Sequence, residues 1–107
     1  MKLRKSIFVG LALLPIIASA QQLYRQDIFI GSGGQLANWC LNEMRARYAA
    51  KDITTYGHAS EHSVDGNNLR AKVRLSVDGK HFHATCRVAT GSSERYASFS
   101  TDDPRIQ

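Results

Sequence analysis

LRAKVRLSVDGKHFHATCRV, residues 69–88, is the stretch that decides the fold. Apolar and polar side chains alternate from Leu69 to Val77 and again from Phe82 to Val88, which is the pattern of strands with one buried face. Asp78-Gly79 separates the two runs, and Asp-Gly between alternating strands predicts a type I′ turn of two residues. The stretch therefore predicts an antiparallel hairpin.

The short turn also predicts which residues lie opposite one another. With Val77 facing Lys80, one face of the hairpin carries only apolar pairs. These are Leu75 with Phe82, Val73 with Ala84, Ala71 with Cys86 and Leu69 with Val88. Because one face of such a hairpin packs on the core, Cys86 is predicted to be buried.

A helix is predicted from Gln35 to about Ala50. Its apolar side chains recur every four residues, as they do on the buried face of a helix. They are Leu36, Cys40, Met44 and Tyr48. Ser32 is available as the N-cap. The glycines on either side of Ser32 are followed by no Lys-Ser/Thr and no βαβ unit, so they do not predict a phosphate-binding loop.

Cys40 and Cys86 are the only cysteines, and two independent periodicities place both on buried faces. An even number of cysteines in a small domain of an oxidising compartment predicts a structural disulfide. A redox-active pair is the alternative, but it usually has the Cys-x-x-Cys spacing. We therefore expect one disulfide between helix and hairpin, which stabilises a domain with a thin core.

The remaining segments complete the prediction of a single α+β domain over 35–100. Residues 53–64 are rich in Thr, Tyr, Ser and His and predict a strand, which a turn at 65–68 joins to the hairpin. A short strand is predicted at 95–100 and a flexible tail at 101–107. The expected fold class is one amphipathic helix packed on a three- or four-stranded antiparallel β-meander.

Two features are compatible with more than one structure. Residues 21–34 form an N-terminal segment and a Gly-rich loop, and 21–30 fit either a short strand or an irregular leader. The turn at 65–68 fits loops of different length. A three-residue loop would put His58 and His62 on the outer face of the sheet, whereas a four-residue loop or a bulge would turn them away.

Residues 1–20 have the three parts of a cleaved secretory signal peptide. Lys2, Arg4 and Lys5 form a positive n-region, an apolar run follows over 7–17, and Ala18-Ser19-Ala20 supplies a small-x-small cleavage site. The apolar run is shorter than the roughly 20 residues that span a bilayer. No cysteine follows it to carry a lipid anchor. The sequence therefore predicts a periplasmic or secreted protein that begins at Gln21, with no membrane span.

The charge of the chain changes when this segment is removed. The whole sequence has 14 Lys+Arg against 9 Asp+Glu, a net charge of +5. Without Lys2, Arg4 and Lys5 the balance is 11 against 9, which is +2. A strongly basic composition would favour nucleic acid as a partner. Most of the excess belongs to the signal peptide, so we expect no nucleic-acid partner.

The outer face of the hairpin is the candidate binding face. The predicted register puts six basic or imidazole side chains there and no acid from either strand. They are Arg70, Lys72, Arg74, His81, His83 and Arg87. Arg70 lies opposite Arg87, and opposed like charges destabilise a sheet slightly. We expect this face to dock an acidic protein, as an inhibitor or immunity-type protein would. The alternative is a solvated face whose charges resist aggregation.

Other chemistry has weaker support in the sequence. His81 and His83 have a spacing that can chelate, so a metal ion or an anionic envelope component is the alternative ligand of this face. No acid or free cysteine is placed to complete a tetrahedral metal site. No motif singles out a nucleophile, so we expect no enzyme activity, catalytic residue or cofactor. A purely structural domain is the third possibility.

Overall fold

The computed structural model describes residues 27–107, and the predicted signal peptide at 1–20 lies outside the described residues. The described chain forms one α-helix, six strands and two short 3-10 turns. In chain order these are β1 (Phe29–Ile30), α1 (Gly33–Ala49), β2 (Tyr56–Asp65), β3 (Asn68–Val77), β4 (Lys80–Ala89), β5 (Ser92–Ser93), a turn at Glu94–Tyr96, β6 (Ser98–Thr101) and a turn at Pro104–Ile106. Within 27–107, no helix is long and apolar enough to cross a membrane.

Four strands form an antiparallel sheet in the order β2-β3-β4-β6, and α1 packs across one face of it. The disulfide between Cys40 of α1 and Cys86 of β4 joins the two layers, with Cα atoms 5.9 Å apart. β1 and β5 form a separate two-stranded pair, in which Ile30 is buried. The predicted α+β fold, with one helix tied to the sheet by a disulfide, is confirmed.

The start of α1 is set by its cap. The hydroxyl of Ser32 accepts a hydrogen bond from the backbone N–H of Gln35 at 3.2 Å, and Gln35 Oε1 accepts one from the N–H of Gly31 at 2.7 Å. This reciprocal arrangement satisfies donors that would otherwise be unpaired at a helix start. The helix therefore begins at Gly33, two residues before the predicted start at Gln35.

The hairpin of β3 and β4 has the predicted register at every pair, from Val77 opposite Lys80 to Leu69 opposite Val88. Asp78 and Gly79 have φ values of 53° and 76°, as the central residues of a type I′ turn require. The apolar members of β3 are buried under α1 and its cationic members are exposed. The predicted inner and outer faces of this hairpin are therefore the observed ones.

The first hairpin, between β2 and β3, turns through two residues, because Asp65 pairs with Asn68. Gly66 has a φ of 62° at the first central position, which glycine adopts without the steric cost of a Cβ. His58 and His62 lie opposite Leu75 and Ala71, on the side of the sheet that carries α1. Both imidazoles are therefore turned away from the outer face.

The C-terminal segment differs from the predicted flexible tail at 101–107. Asp103 is 1% exposed and Ile106 is 3% exposed, and both pack against the domain. The backbone carbonyl of Ile106 accepts a 3.0 Å hydrogen bond from the Arg47 guanidinium of α1. Asp103 caps the 3-10 turn and Pro104 occupies its first turn, so the local sequence favours an ordered structure.

Candidate binding face

Four cations project from the sheet face opposite α1, and together they are called the basic face. Arg70, Lys72 and Arg74 stand on β3 and Arg87 stands on β4, all of them exposed. Arg70 lies directly opposite Arg87 in the ladder, as predicted. Side chains on this face are held by two central strands of the sheet, so the spacing of their Cα atoms is fixed by the fold.

The cations of the basic face take part in no close ion pair within the described chain. No ion pair within 4.0 Å among residues 27–107 includes Arg70, Lys72, Arg74 or Arg87. The acids that do form ion pairs in this range are bound to other cations or to His83. An external anion therefore meets cations that are free to bind it.

His83 has an acidic partner that the sequence analysis missed. Its Nδ1 lies 3.2 Å from Oδ2 of Asp102, and its backbone N–H donates to Oδ1 of the same residue at 2.8 Å. The prediction that the face has no acid holds for β3 and β4 but omits this neighbour. The sequence predicts Asp102 in a flexible tail, and only the docking of residues 101–106 brings it to His83.

His81 is also bonded within the domain. Its Nδ1 lies 3.0 Å from the hydroxyl of Ser76, which is its cross-strand neighbour. On the other side of the sheet, the Nδ1 of His58 lies 3.2 Å from the guanidinium of Arg45. In the part of the chain that the structure describes, no group of three or more His, Cys, Asp or Glu side chains is placed to hold a metal ion.

A shelf of small residues borders the basic face on β2. Ser63 lies opposite Arg70 and Ala59 lies opposite Arg74, while Glu61 lies between them, opposite Lys72. Shallow open grooves of about 220 and 350 Å³ follow this boundary. The long cationic side chains of β3 therefore lie beside a row of small side chains on β2, with one acid in the middle of the row.

A second charged cluster lies at the C-terminal end of α1, where Tyr48 and Asp103 are buried and Arg105 is exposed. The carboxylate of Asp103 accepts hydrogen bonds from Tyr48 Oη at 2.7 Å and from Arg105 Nη2 at 2.7 Å. The Arg105 guanidinium lowers the pKa of Asp103 to about 2, although burial acts in the opposite direction. Burial, followed by the Asp103 carboxylate, raises the pKa of Tyr48 above its ordinary value. This cluster is fully bonded, so we assign it to stability.

The two clusters differ in what they can do. The buried carboxylate of Asp103 has its charge neutralised by Arg105, whereas the basic face presents cations to solvent. Rigidly spaced, exposed guanidinium groups bind carboxylates or other anions. No protein-family model, curated protein or solved structure matches this chain.

Proposed function

We propose that this protein is an exported, non-enzymatic binding module that docks an acidic protein through Arg70, Lys72, Arg74 and Arg87. The observation that carries the proposal is the opposition of Arg70 and Arg87 on a face whose cations form no ion pair within 4.0 Å among residues 27–107. Opposed like charges cost stability in a sheet. A bound carboxylate between them would remove that cost.

The disulfide supports the exported location and the mode of binding. Structural disulfides persist in oxidising compartments, of which the bacterial periplasm is one. The bond joins α1 to β4 and limits the internal motion of the sheet that carries the cations. A preorganised surface loses little conformational entropy on binding. We propose that the protein acts as an inhibitor or as an immunity-type protein.

An anionic envelope polymer would use the same cations and is the competing ligand. A metal ion has less support, because no group of three or more His, Cys, Asp or Glu side chains within residues 27–107 is placed to hold one. An acidic protein and an anionic envelope polymer differ in the stoichiometry of their complexes. A protein partner binds one surface in a defined ratio, whereas a polyanion binds several copies along its length.

The test is a capture experiment with the oxidised full chain, tagged after the exposed Gln107 and incubated with envelope extract of the producing cells. The test variant is Arg70→Glu/Arg74→Glu. The control is Lys51→Glu/Lys80→Glu, which makes the same change of charge at exposed positions outside the basic face. All three proteins must first be shown to be folded at the temperature of the capture experiment.

The expected result is an equimolar acidic protein, bound by the wild type and the control but not by the test variant. Its binding should weaken as salt is raised, because exposed charge pairs are screened. Capture of glycan or other polymer in place of protein would assign the face to the anionic envelope component. Equal capture by the test variant would refute the proposal.

A further inference from the structure

β2 is an edge strand without cover. All ten of its residues are exposed, and its far edge pairs with no strand in the described chain. An uncovered edge presents a row of backbone donors and acceptors that can accept another strand. Common protection of edge strands by proline or lysine is absent from residues 56–65.

The pairing of β2 with β3 determines which backbone groups of β2 point to the free edge of the sheet. The two-residue turn makes Asp65 and Asn68 a hydrogen-bonded pair, and such pairs alternate along an antiparallel ladder. Ser63 and Glu61 therefore bond to β3. The backbone groups of His62 and Ser60 point to the free edge, where an added strand would meet them.

The side chains along this edge have a charge pattern of their own. On the outer face, the sequence Ala59, Glu61, Ser63 lies beside Arg74, Lys72, Arg70. Lys72 thus faces an acid of the same chain, whereas Arg70 and Arg74 face small neutral residues. The pattern leaves room for two acids, one over Ser63 and one over Ala59, with Glu61 between them.

We propose that the acidic partner binds by adding an extended strand along β2. This inference rests on the proposed function and gives it a binding mode. Every second side chain of the added strand lies on the outer face of the sheet. In order, these side chains are an acid, a neutral or basic residue, and an acid. The two acids reach Arg70 and Arg74 across Ser63 and Ala59, and the central residue faces Glu61.

The dimensions of a β-sheet fit this arrangement. Alternate side chains on one strand are about 7 Å apart, so the outer-face side chains of an added strand lie opposite Ala59, Glu61 and Ser63. Adjacent strands lie about 4.8 Å apart, so the added strand is about two spacings from β3. Arg and Glu side chains that extend toward each other over a small residue can span that distance.

A second copy of this chain is the competing occupant of the edge. The outer face of β2 carries two acids, Glu61 and Asp65, with Ser63 between them. Two β2 strands paired antiparallel about His62 would bring these acids over Ser63 and Ala59 of the other copy, whereas pairing about Glu61 would place the two glutamates directly opposite each other, which is destabilising. The oligomeric state in solution, together with protection of the edge amides without peptide, distinguishes a second copy from the acidic partner.

The probe is a capped peptide of sequence TEVKVET, which has the proposed pattern in either strand direction. Its isomer TEVEVKT has the same composition and net charge but places the lysine at a flank. We expect the oxidised protein to bind TEVKVET about tenfold more tightly than the isomer, because in the same register the isomer loses two exposed ion pairs and gains two repulsions. Equal affinities would overturn the charge pattern.

Amide hydrogen exchange tests strand addition directly. Saturation with TEVKVET should slow exchange at His62 and Ser60 at least several-fold, because their N–H groups gain acceptors. The variant Ser60→Pro removes an outward N–H without removing a bond of the ladder and should lose the peptide. Unchanged exchange at both amides under saturation would overturn strand addition, even if Ser60→Pro proves unstable.

The outcomes separate this inference from the proposed function. If Ser60→Pro captures the protein partner as the wild type does, while Arg70→Glu/Arg74→Glu does not, the partner docks on the basic face without adding a strand. If neither variant changes capture, both proposals fail. Protection of His62 and Ser60 in protein without peptide, together with a dimer in solution, would assign the edge to a second copy and overturn the inference.

Discussion

Tyr48 Oη donates a 2.7 Å hydrogen bond to Oδ2 of Asp103, and both side chains are buried. The bond joins α1 to the 3-10 turn at Pro104–Ile106. Arg105 holds the same carboxylate and also reaches Asp78 in the hairpin turn, with Nη1 3.3 Å from Oδ2. Helix, hairpin turn and C-terminal segment are therefore anchored by one buried carboxylate.

Tyr48→Phe removes the hydroxyl and leaves the ring in place. We expect the free energy of unfolding to fall by about 1.5–3 kcal/mol, the usual range for a hydrogen bond to a charged group. Urea denaturation at neutral pH measures it. Tyr96→Phe is the control, because Tyr96 is 71% exposed, and it should change stability little. Equal effects of the two substitutions would contradict the role of the buried bond.

Stability should depend on acid through Asp103. Its pKa in the folded protein is lowered to about 2, so the carboxylate stabilises the fold above its ordinary pKa near 3.8 and stops doing so as the pH falls toward 2. Wild type should exceed Asp103→Asn by roughly 2 kcal/mol at neutral pH, and the gap should close between about pH 4 and pH 2. Denaturation across this range is the measurement, and a gap independent of pH would refute the assignment.

The disulfide is expected to contribute a large part of the stability. Cys40→Ala/Cys86→Ala opens a link between residues that are 46 positions apart. A loop of this size predicts a loss of about 3–4 kcal/mol in the chain-entropy model. Denaturation of the variant beside the oxidised wild type measures it. A variant as stable as the wild type would show that the core alone maintains the fold.

Arg87→Glu should affect stability and binding in opposite directions. It replaces the repulsion between Arg70 and Arg87 with an attraction, so the fold should gain about 0.2–1 kcal/mol. Capture of the acidic partner should be lost. Lys80→Glu, at an exposed position outside the basic face, should change neither. If Arg87→Glu stabilised the fold and left binding intact, the face would be an ordinary solvated surface.

Gly33 and Gly34 form a matched pair at the start of α1. A Cβ at Gly33 would collide with the imidazole of His62, whereas a Cβ at Gly34 meets nothing within 4 Å. Gly34→Ala should therefore stabilise the protein by about 0.5–1 kcal/mol through helix propensity. Gly33→Ala should gain less or lose stability, and the NMR signals of the His62 ring should shift. Identical stability changes would mean that β2 and α1 do not approach closely.

The second hairpin could be predicted residue by residue because its turn has one solution. Asp78-Gly79 permits a two-residue turn, and the buried residues of β3 and β4 agree with only one register. β2 offers neither constraint. The segment at 65–68 accepts several loop lengths, and every residue of β2 is exposed, so no apolar pattern selects a face.

The C-terminal segment could not be placed from its composition. Charged and polar residues at 101–107 predict a tail, and burial of an acid depends on partners that are distant in sequence. Two signals were nevertheless present. A buried Tyr48 needs a hydrogen-bond partner for its hydroxyl, and Asp103-Pro104 is a suitable start for a helical turn.

The candidate site was predictable to the same extent as its strands. Arg70, Lys72, Arg74 and Arg87 share a face because the register of β3 and β4 requires it. The pairing of His83 with Asp102 followed from the docked segment and was therefore missed.

Residues that bond to each other but lie far apart in the sequence influence the order of folding. α1 is synthesised before every strand of the sheet that covers it, and Asp103 follows Tyr48 by 55 residues. Contacts between such distant residues form slowly, because the intervening loop must first close. The hairpin of β3 and β4 has partners close in sequence, so we expect it to nucleate folding and α1 to dock on it afterwards. Until that docking, we expect the apolar face of the hairpin to be exposed to solvent.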